Sequence, residues 1–374
     1  MKINSHNEWD KLREVVVGHA DARAGLIFSG SEPPSEKLKE RAEQLAKEAY
    51  PQWILDEVYE DLEELCNVLR KFGAKVLRPR KPDNKTFATF TTPYFSAAQE
   101  HCYNMRDLHL VVGNTVIESP SQERHRYFEA KGLSDIWRDY FQEDGGFRWV
   151  CGAKPRLDGS HKIAYYENGK KFYKLSEDEV MFEAANTVRL GKDIIFLVSR
   201  SGNNFAAKWL QIILGDEYRV HATDKIYRSS HIDSTVLPLR PGLVLLNPQR
   251  VNEENCPEIL KKWERVYVEK MVPPPQETID IKIKIRKKVH DELAQLGVAS
   301  TVELLASDWV GINFLSLSPD TVVVDERQVD LIKTIEKYKI TVIPISFRHS
   351  YLMGGIHCST LDTVRDSKLE SYFD

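Results

Sequence analysis

The sequence predicts an α/β fold built by radial repetition, with a pocket where the repeated units converge. Three observations carry this. Strand–turn–strand patterns recur along the chain, helix-like segments fall between several of them, and polar residues cluster at their mouths. Taken in order, the first long element is helical. Leu38, Leu45, Ile54, Val58, Leu62, Leu65 and Leu69 fall at helical spacing over Ser35 to Phe72. Pro51 should interrupt or restart that helix, and Gly73 should end it before a strand at Ala74 to Leu77. Lys81 to Tyr94 reads as a loop.

The hairpins follow. Leu108–Val112 and Thr115–Glu118 flank Gly113-Asn114, a strong tight-turn signal. Thr187–Leu190 and Ile194–Val198 flank Gly191-Lys192-Asp193. Val236–Leu239 and Leu243–Leu246 flank Arg240-Pro241-Gly242, and Ile312–Leu317 and Thr321–Val324 flank Ser318-Pro319-Asp320. Phe205 to Ile213 and Gln328 to Lys337 read as intervening helices. Met271 to Gln276, with three consecutive prolines, reads as a loop too short for an interdomain linker. The expectation is one domain over 1–374.

Composition excludes several function classes. The chain has 374 residues, 42% hydrophobic and 29% charged, with net charge −4. No basic field invites nucleic acid or an anionic membrane surface. The N-terminus lacks the apolar run of a secretory signal, and nothing approaches the roughly 20 apolar residues of a membrane span. Five widely spaced cysteines form no CxxC pair, which argues against a disulfide framework or zinc site and for a reducing cytoplasm.

The candidate chemistry sits at the hairpin mouths. Asp107 precedes the first hairpin, Glu183 and Asn186 the second, His231 and Asp233 the third, and Ser307 and Asn313 lie at the fourth. Cys358 lies in Gly354-Gly355-Ile356-His357-Cys358-Ser359. Most cysteines are small core residues, but paired glycines allow close approach of backbone to a ligand. His357 is adjacent; on a strand its side chain would face away from Cys358, which argues against it as the base. Period-2 alternation puts His231 and Asp233 on one face, against the plainer reading of a surface histidine and a turn-capping aspartate. Glu183, among small and apolar residues, needs a cation if buried. Asp107 follows Arg106, so a local salt bridge is its plainer reading. Several carboxylates with a thiol and a histidine suit a guanidinium, held by bidentate hydrogen bonds with its carbon exposed to attack. Compact metal-ligand spacing is lacking.

These motifs together resemble the amidinotransferase family. Ser5-His6-Asn7-Glu8-Trp9-Asp10 with Glu14 to Gly18 resembles its opening strand. Arg106-Asp107, Val111 to Asn114 and Ile117-Glu118 resemble RD…VGN.IIE, continued by Arg124 to Glu129. Phe182 to Ala185 resembles FDAAD, His231 to Thr235 HIDAT, Asn247 to Arg250 NP.R, Gly355 to Cys358 GG.HC, and Glu370 to Asp374 QSYLD. The resemblance runs nearly end to end.

It implies a five-bladed pseudo-symmetric α/β-propeller of the pentein, or guanidine-modifying, superfamily. It implies Cys358 as nucleophile, His231 as general acid/base and Glu183 as its acidic partner. Asp107 and Asp233 would hold the guanidinium, Arg250 the arginine carboxylate, and Ser307 would help position the substrate. The implied substrates are L-arginine and a primary amine, with ornithine released, no cofactor and no metal; a homodimer is compatible. Three departures bear on the acceptor: Glu183 for the family's aspartate, Asn186 for a second acidic residue, and Thr363 to Ser367 where the family carries RRRG. The acceptor side leans toward a secondary-metabolite amine, with a saxitoxin- or cylindrospermopsin-type pathway as one guess. Glu183 keeps an arginine deiminase or dihydrolase reading open beside glycine amidinotransferase, and a non-catalytic arginine-binding propeller is the alternative of another class.

Overall fold

Each of the four expected hairpins is present, and each gains a third strand laid parallel to its second. The computed structural model describes residues 2–19, 29–30, 50–80, 89–98, 102–143, 145–167, 170–295 and 307–373. The hairpin His109–Val112/Thr115–Glu118 is joined by Arg148–Cys151, and Thr187–Leu190/Asp193–Leu197 by Arg219–Thr223. Val236–Arg240/Leu243–Leu246 is joined by Glu264–Tyr267, and Leu315–Ser318/Thr321–Asp325 by Thr341–Ile345. A parallel third strand requires a crossover, and helices or 3₁₀ turns supply it: Ser134–Glu143, Asn204–Leu214, Glu258–Lys262 and Val329–Glu336.

The fifth blade joins the two ends of the chain. Leu12–Val17 lies between Lys75–Leu77, which runs parallel to it, and Thr360–Arg365, which runs antiparallel. This sheet repeats the pattern of the others, with the hairpin turn replaced by the chain termini. The result is the five-bladed α/β-propeller that the sequence implied. The first strand of each blade is almost wholly buried, whereas Arg219–Thr223 and Thr341–Ile345 are largely half-exposed, so buried strands surround the axis and third strands form the rim.

The helix of the fifth blade, Gln52–Phe72, begins after Pro51 and buries Ile54, Val58, Leu62, Leu65 and Leu69. It ends at Gly73, whose φ of 97° lets its N–H turn back to the Leu69 and Arg70 carbonyls. Its expected upstream part falls among 31–49, outside the described residues, as do 81–88 of the expected loop.

Several local expectations are corrected. Thr89–Thr91 is a strand, paired to Ser96–Ala98, where a loop was expected. Asp308–Ile312 is a 3₁₀ turn, so the fourth hairpin starts only at Leu315. An unanticipated ribbon, Lys162–Glu167 with Lys170–Leu175, is inserted between the first and second hairpin blades. Among the described residues, no helix is long and apolar enough to cross a membrane.

Candidate active site

The polar residues singled out at the hairpin mouths sit just before a blade's first strand, except Ser307, which caps the 3₁₀ turn Asp308–Ile312 ahead of Leu315. Asp107 belongs to the single-turn helix Met105–Leu108 leading into His109, and Glu183 directly precedes the 3₁₀ turn Ala184–Asn186. His231 and Asp233 lie before the strand at Val236 as expected, but in an irregular stretch and a turn, so the strand-like alternation invoked to put them on one face does not apply. Cys358 lies in the turn before Thr360. Five first strands converging on one axis bring these turns together, although as much as two thirds of the chain separates Asp107 from Cys358.

Asp107, Glu183 and His231 form one buried cluster. His231 Nε2 pairs with Glu183 Oε2, and Nδ1 lies 3.6 Å from Asp107 Oδ1. Arg126 donates to Asp107 Oδ2 at 2.7 Å, to Glu183 Oε1 at 3.2 Å and to Glu129 at 2.7 Å. Ser121 donates a further 2.8 Å bond to Glu183. Burial alone would keep His231 neutral, but the Asp107 and Glu183 carboxylates and more distant Asp233 overcome it and raise its pKa to about 9. Glu183 is held ionised well below the usual carboxylate range: burial opposes this, and Arg126 and His231 outweigh it. Asp107 is shifted upward, by burial first and then by the neighbouring carboxylates, against His231 and Arg126. Its Oδ1 is buried and has no hydrogen-bond partner. A buried acceptor left open in this way is costly unless a donor arrives.

Asp107 therefore pairs with Arg126 rather than with its neighbour Arg106. Arg106 turns away to Asp362 at 2.5 Å and, through Nε, to the His357 carbonyl at 3.2 Å. Asp362 also binds Arg189 and Arg365, and Arg189 grips Glu8 of the N-terminal segment through two bonds of 2.7 and 2.8 Å. These buried charges fill the axis beneath the site.

Among the described residues, the thiol hydrogen-bonds to one carboxylate. Cys358 Sγ donates to Asp233 Oδ2 at 3.2 Å, and its backbone N–H donates to Asn313 Oδ1 at 2.9 Å. A side chain at Gly355 would place its Cβ 2.4 Å from that Asn313 oxygen, so glycine is required for this contact. His357 Nδ1 also reaches Asp233 Oδ2, at 3.1 Å, while Nε2 lies 3.6 Å from Glu8. The expectation that His357 faces away rested on a strand; the segment is a turn, so adjacent side chains meet one oxygen. Burial pushes the Cys358 thiol well above its usual pKa, and Asp233 and Asp107 push it further. Asp233 stays ionised despite burial, chiefly through His357, then His231.

Arg250 and Ser307 adjoin this centre and touch each other at 3.0 Å. Arg250 also donates to Ser234 Oγ at 2.8 Å and Thr235 Oγ1 at 2.9 Å, next in sequence to Asp233, and stacks 3.7 Å above the Tyr227 ring. Its hydrogen bonds go to neutral oxygens, which leaves its charge available to an anion. Asn186 points elsewhere: its amide donates to the Leu197 carbonyl at 2.6 Å and to Ser199 at 3.0 Å. The residue positions at which sequence reasoning had named no role are Arg126, Asn313 and Glu8. The need of a buried Glu183 for a cation was the available signal for Arg126.

Asp107, Glu183 and His231 each offer one ligand atom within 4.8 Å of one another. Arg126 already pairs with both carboxylates, and the charged His231 ring has no lone pair to offer, so the cluster is poorly suited to a metal ion.

No family model matches the chain. It is 39% identical over 379 residues to inosamine-phosphate amidinotransferase 1 of Streptomyces glaucescens, across 99% of each sequence. The chain belongs to the amidinotransferase family. Among solved amidinotransferases, the inosamine-phosphate enzyme of Streptomyces griseus superposes with a TM-score of 0.80 at 36% identity, covering 100% of this chain and 99% of that one. An amidinotransferase of the saxitoxin pathway from Microseira wollei gives 0.79 at 33%, covering 99% of each. Dimethylarginine dimethylaminohydrolase of Pseudomonas aeruginosa, at 10% identity and 0.54 over 94% of this chain and 99% of that one, shares the fold alone. This amidinotransferase thus has the pentein fold, and its glutamate at position 183 still reaches the histidine.

Proposed function

We propose that this amidinotransferase moves the amidino group of L-arginine, through a covalent adduct on Cys358, to a primary amine of secondary metabolism. The observation that carries this reading is the Cys358 thiol against Asp233, with an Asp107 oxygen that accepts no hydrogen bond and the His231–Glu183 pair close by. Asp107 and Asp233 take the N–H groups of the guanidinium, whose charge offsets the carboxylates that otherwise hold the thiol protonated. Arg250 and Ser307 take the arginine carboxylate.

Cys358 sulfur then bonds to the guanidinium carbon, and the bond from that carbon to the ornithine nitrogen breaks. Charged His231 gives its proton to the departing amine and is refilled by the thiol proton. The net result is neutral ornithine amine and an amidino-cysteine that keeps the positive charge. A primary amine enters and its nitrogen bonds to the amidino carbon as the bond from that carbon to sulfur breaks; charged His231 returns its proton to the departing Cys358 sulfur and is refilled by the proton the amine loses. Glu183 holds His231 in place throughout.

The experiment is incubation with arginine and a panel of amines, read by mass spectrometry. Ornithine with a new guanidine supports transfer. Citrulline or ammonia in place of them would mean that water resolves the adduct and the chain works as a hydrolase.

A further inference from the structure

Asn313 ends the 3₁₀ turn Asp308–Ile312 and leads into the blade that starts at Leu315, yet its hydrogen bonds reach the mouths of two other blades. It is buried, at 3% exposure. Its Oδ1 accepts from the Cys358 N–H at 2.9 Å, and its backbone carbonyl accepts from the His357 N–H at 3.2 Å. Its Nδ2 donates to the Asp233 carbonyl at 3.2 Å. An N–H only donates and a carbonyl only accepts, so the amide has a single orientation here.

The residues held in this way are the ones that meet at the thiol. His357 and Cys358 lie in a turn, outside any sheet, so their N–H groups lack a strand partner, and Asn313 meets both. Asp233 lies in the turn before its own strand, and Asn313 takes its carbonyl. The contact from Cys358 Sγ to Asp233 Oδ2, at 3.2 Å, joins two blades through side chains. Asn313 joins the same two residues a second time, through their main chains. Gly355 closes over the amide: a Cβ there would lie 2.4 Å from Asn313 Oδ1 and 2.5 Å from Asn313 Cβ. At the other end of the turn, Ser307 accepts from the Trp309 N–H at 3.3 Å and from Arg250 at 3.0 Å. Trp309 and Ile312 are buried in one apolar cluster, so the turn is anchored between its two ends.

We infer that Asn313 is a positioning residue that sets the Cys358 thiol against Asp233 and so aligns the sulfur with a guanidinium held by that carboxylate. The three bonds it makes go to main-chain groups, so it acts through Cys358 and Asp233. The inference rests on the transfer reading above and adds the residue that brings its nucleophile and its guanidinium ligand into register.

The test follows two reactions of one sulfur in the full-length protein, Asn313→Ala, Gly355→Ala, Asp233→Asn and the double variant Asn313→Ala/Asp233→Asn. At saturating arginine, adduct formation should fall by about 100-fold in Asn313→Ala, the effect of misplacing reacting groups by about 1 Å. The arginine concentration giving half the maximal rate should change far less, because the bonds lost do not reach the substrate. Alkylation by iodoacetamide, which needs no arginine, should instead speed up, as the thiol is released from the carboxylate that keeps it protonated. Gly355→Ala presses on the same amide from the opposite side and should reproduce both shifts; it replaces Asn313→Ala throughout if that variant does not fold. In the double variant the gains in alkylation should not add, since each change removes the same contact. Additive gains, the mark of a generally loosened protein, overturn the inference, as does unchanged alkylation in both Asn313→Ala and Gly355→Ala. If the unmutated protein forms no adduct from arginine, the transfer reading fails, and the alkylation cycle alone decides whether Asn313 sets the thiol against Asp233.

Discussion

Cys358 Sγ lies 3.2 Å from Asp233 Oδ2, and that same oxygen is 3.1 Å from His357 Nδ1. The free protein thus keeps the thiol proposed as its nucleophile next to a negative charge that opposes ionisation. The thiol should be poorly reactive until a cation enters. Iodoacetamide should alkylate Cys358 slowly near neutral pH. Asp233→Asn should speed that alkylation, by about tenfold for each pKa unit recovered, yet abolish adduct formation from arginine. Faster alkylation with retained turnover would contradict the double role given to Asp233.

His231 carries a pKa raised from 6.5 to about 9. Because the folded value lies above the unfolded one, the charged form contributes stability that is complete below about pH 6.5 and is lost as pH rises through about 9. Thermal midpoints of the unmutated protein and His231→Asn, compared across that window, should converge as pH increases. A gap that widens with pH would give the shift the wrong sign.

Arg126 pairs with three buried carboxylates, Asp107, Glu129 and Glu183. Arg126→Ala removes that shared cation, leaves the charge on His231 to face Asp107 and Glu183, and should cost about 3–5 kcal/mol in urea unfolding. Arg126→Lys keeps the charge but loses the fork, so it should recover only part of that loss. Full stability of Arg126→Ala would mean that the cluster holds its charges by other means.

Much of this was legible because it is local. Gly113-Asn114 and Pro241-Gly242 mark turns within a few residues, so four blades could be read from the chain. The fifth could not, since Leu12–Val17 and Thr360–Arg365 pair from opposite ends without a turn to announce them. Asp107, Glu183, His231 and Asp233 were singled out together because hairpin mouths converge, and Cys358 separately, from the two glycines before it. The reason first given for His231 and Asp233, alternation along a strand, does not hold: an irregular stretch and a turn place them. His357 was set aside on a similar strand argument, and the turn brings it to Asp233. Arg126 was hidden in Arg124-His125-Arg126, where sequence alone does not say which basic residue points inward. Both Arg124 and Arg126 are buried, but only Arg126 reaches Glu183.

The Arg250 guanidinium, flanked by Ser307 and Tyr227, is the group proposed to take the donor carboxylate. Arg250→Ala should weaken arginine use by roughly 2–5 kcal/mol in kcat/KM. Agmatine, which lacks the carboxylate, should already be a poor donor for the unmutated enzyme. Equal turnover of agmatine and arginine would remove this role from Arg250.

The most direct test of the account is the protein given arginine and no amine. About one ornithine per site should be released before turnover stalls. The peptide carrying Cys358 should gain the mass of one amidino group, while Cys66, Cys102, Cys151 and Cys256 stay unmodified. Cys358→Ser should be folded and form no adduct, because a serine hydroxyl stays protonated where a perturbed thiol ionises. No adduct at Cys358, together with amidino transfer by Cys358→Ala, would contradict the covalent mechanism.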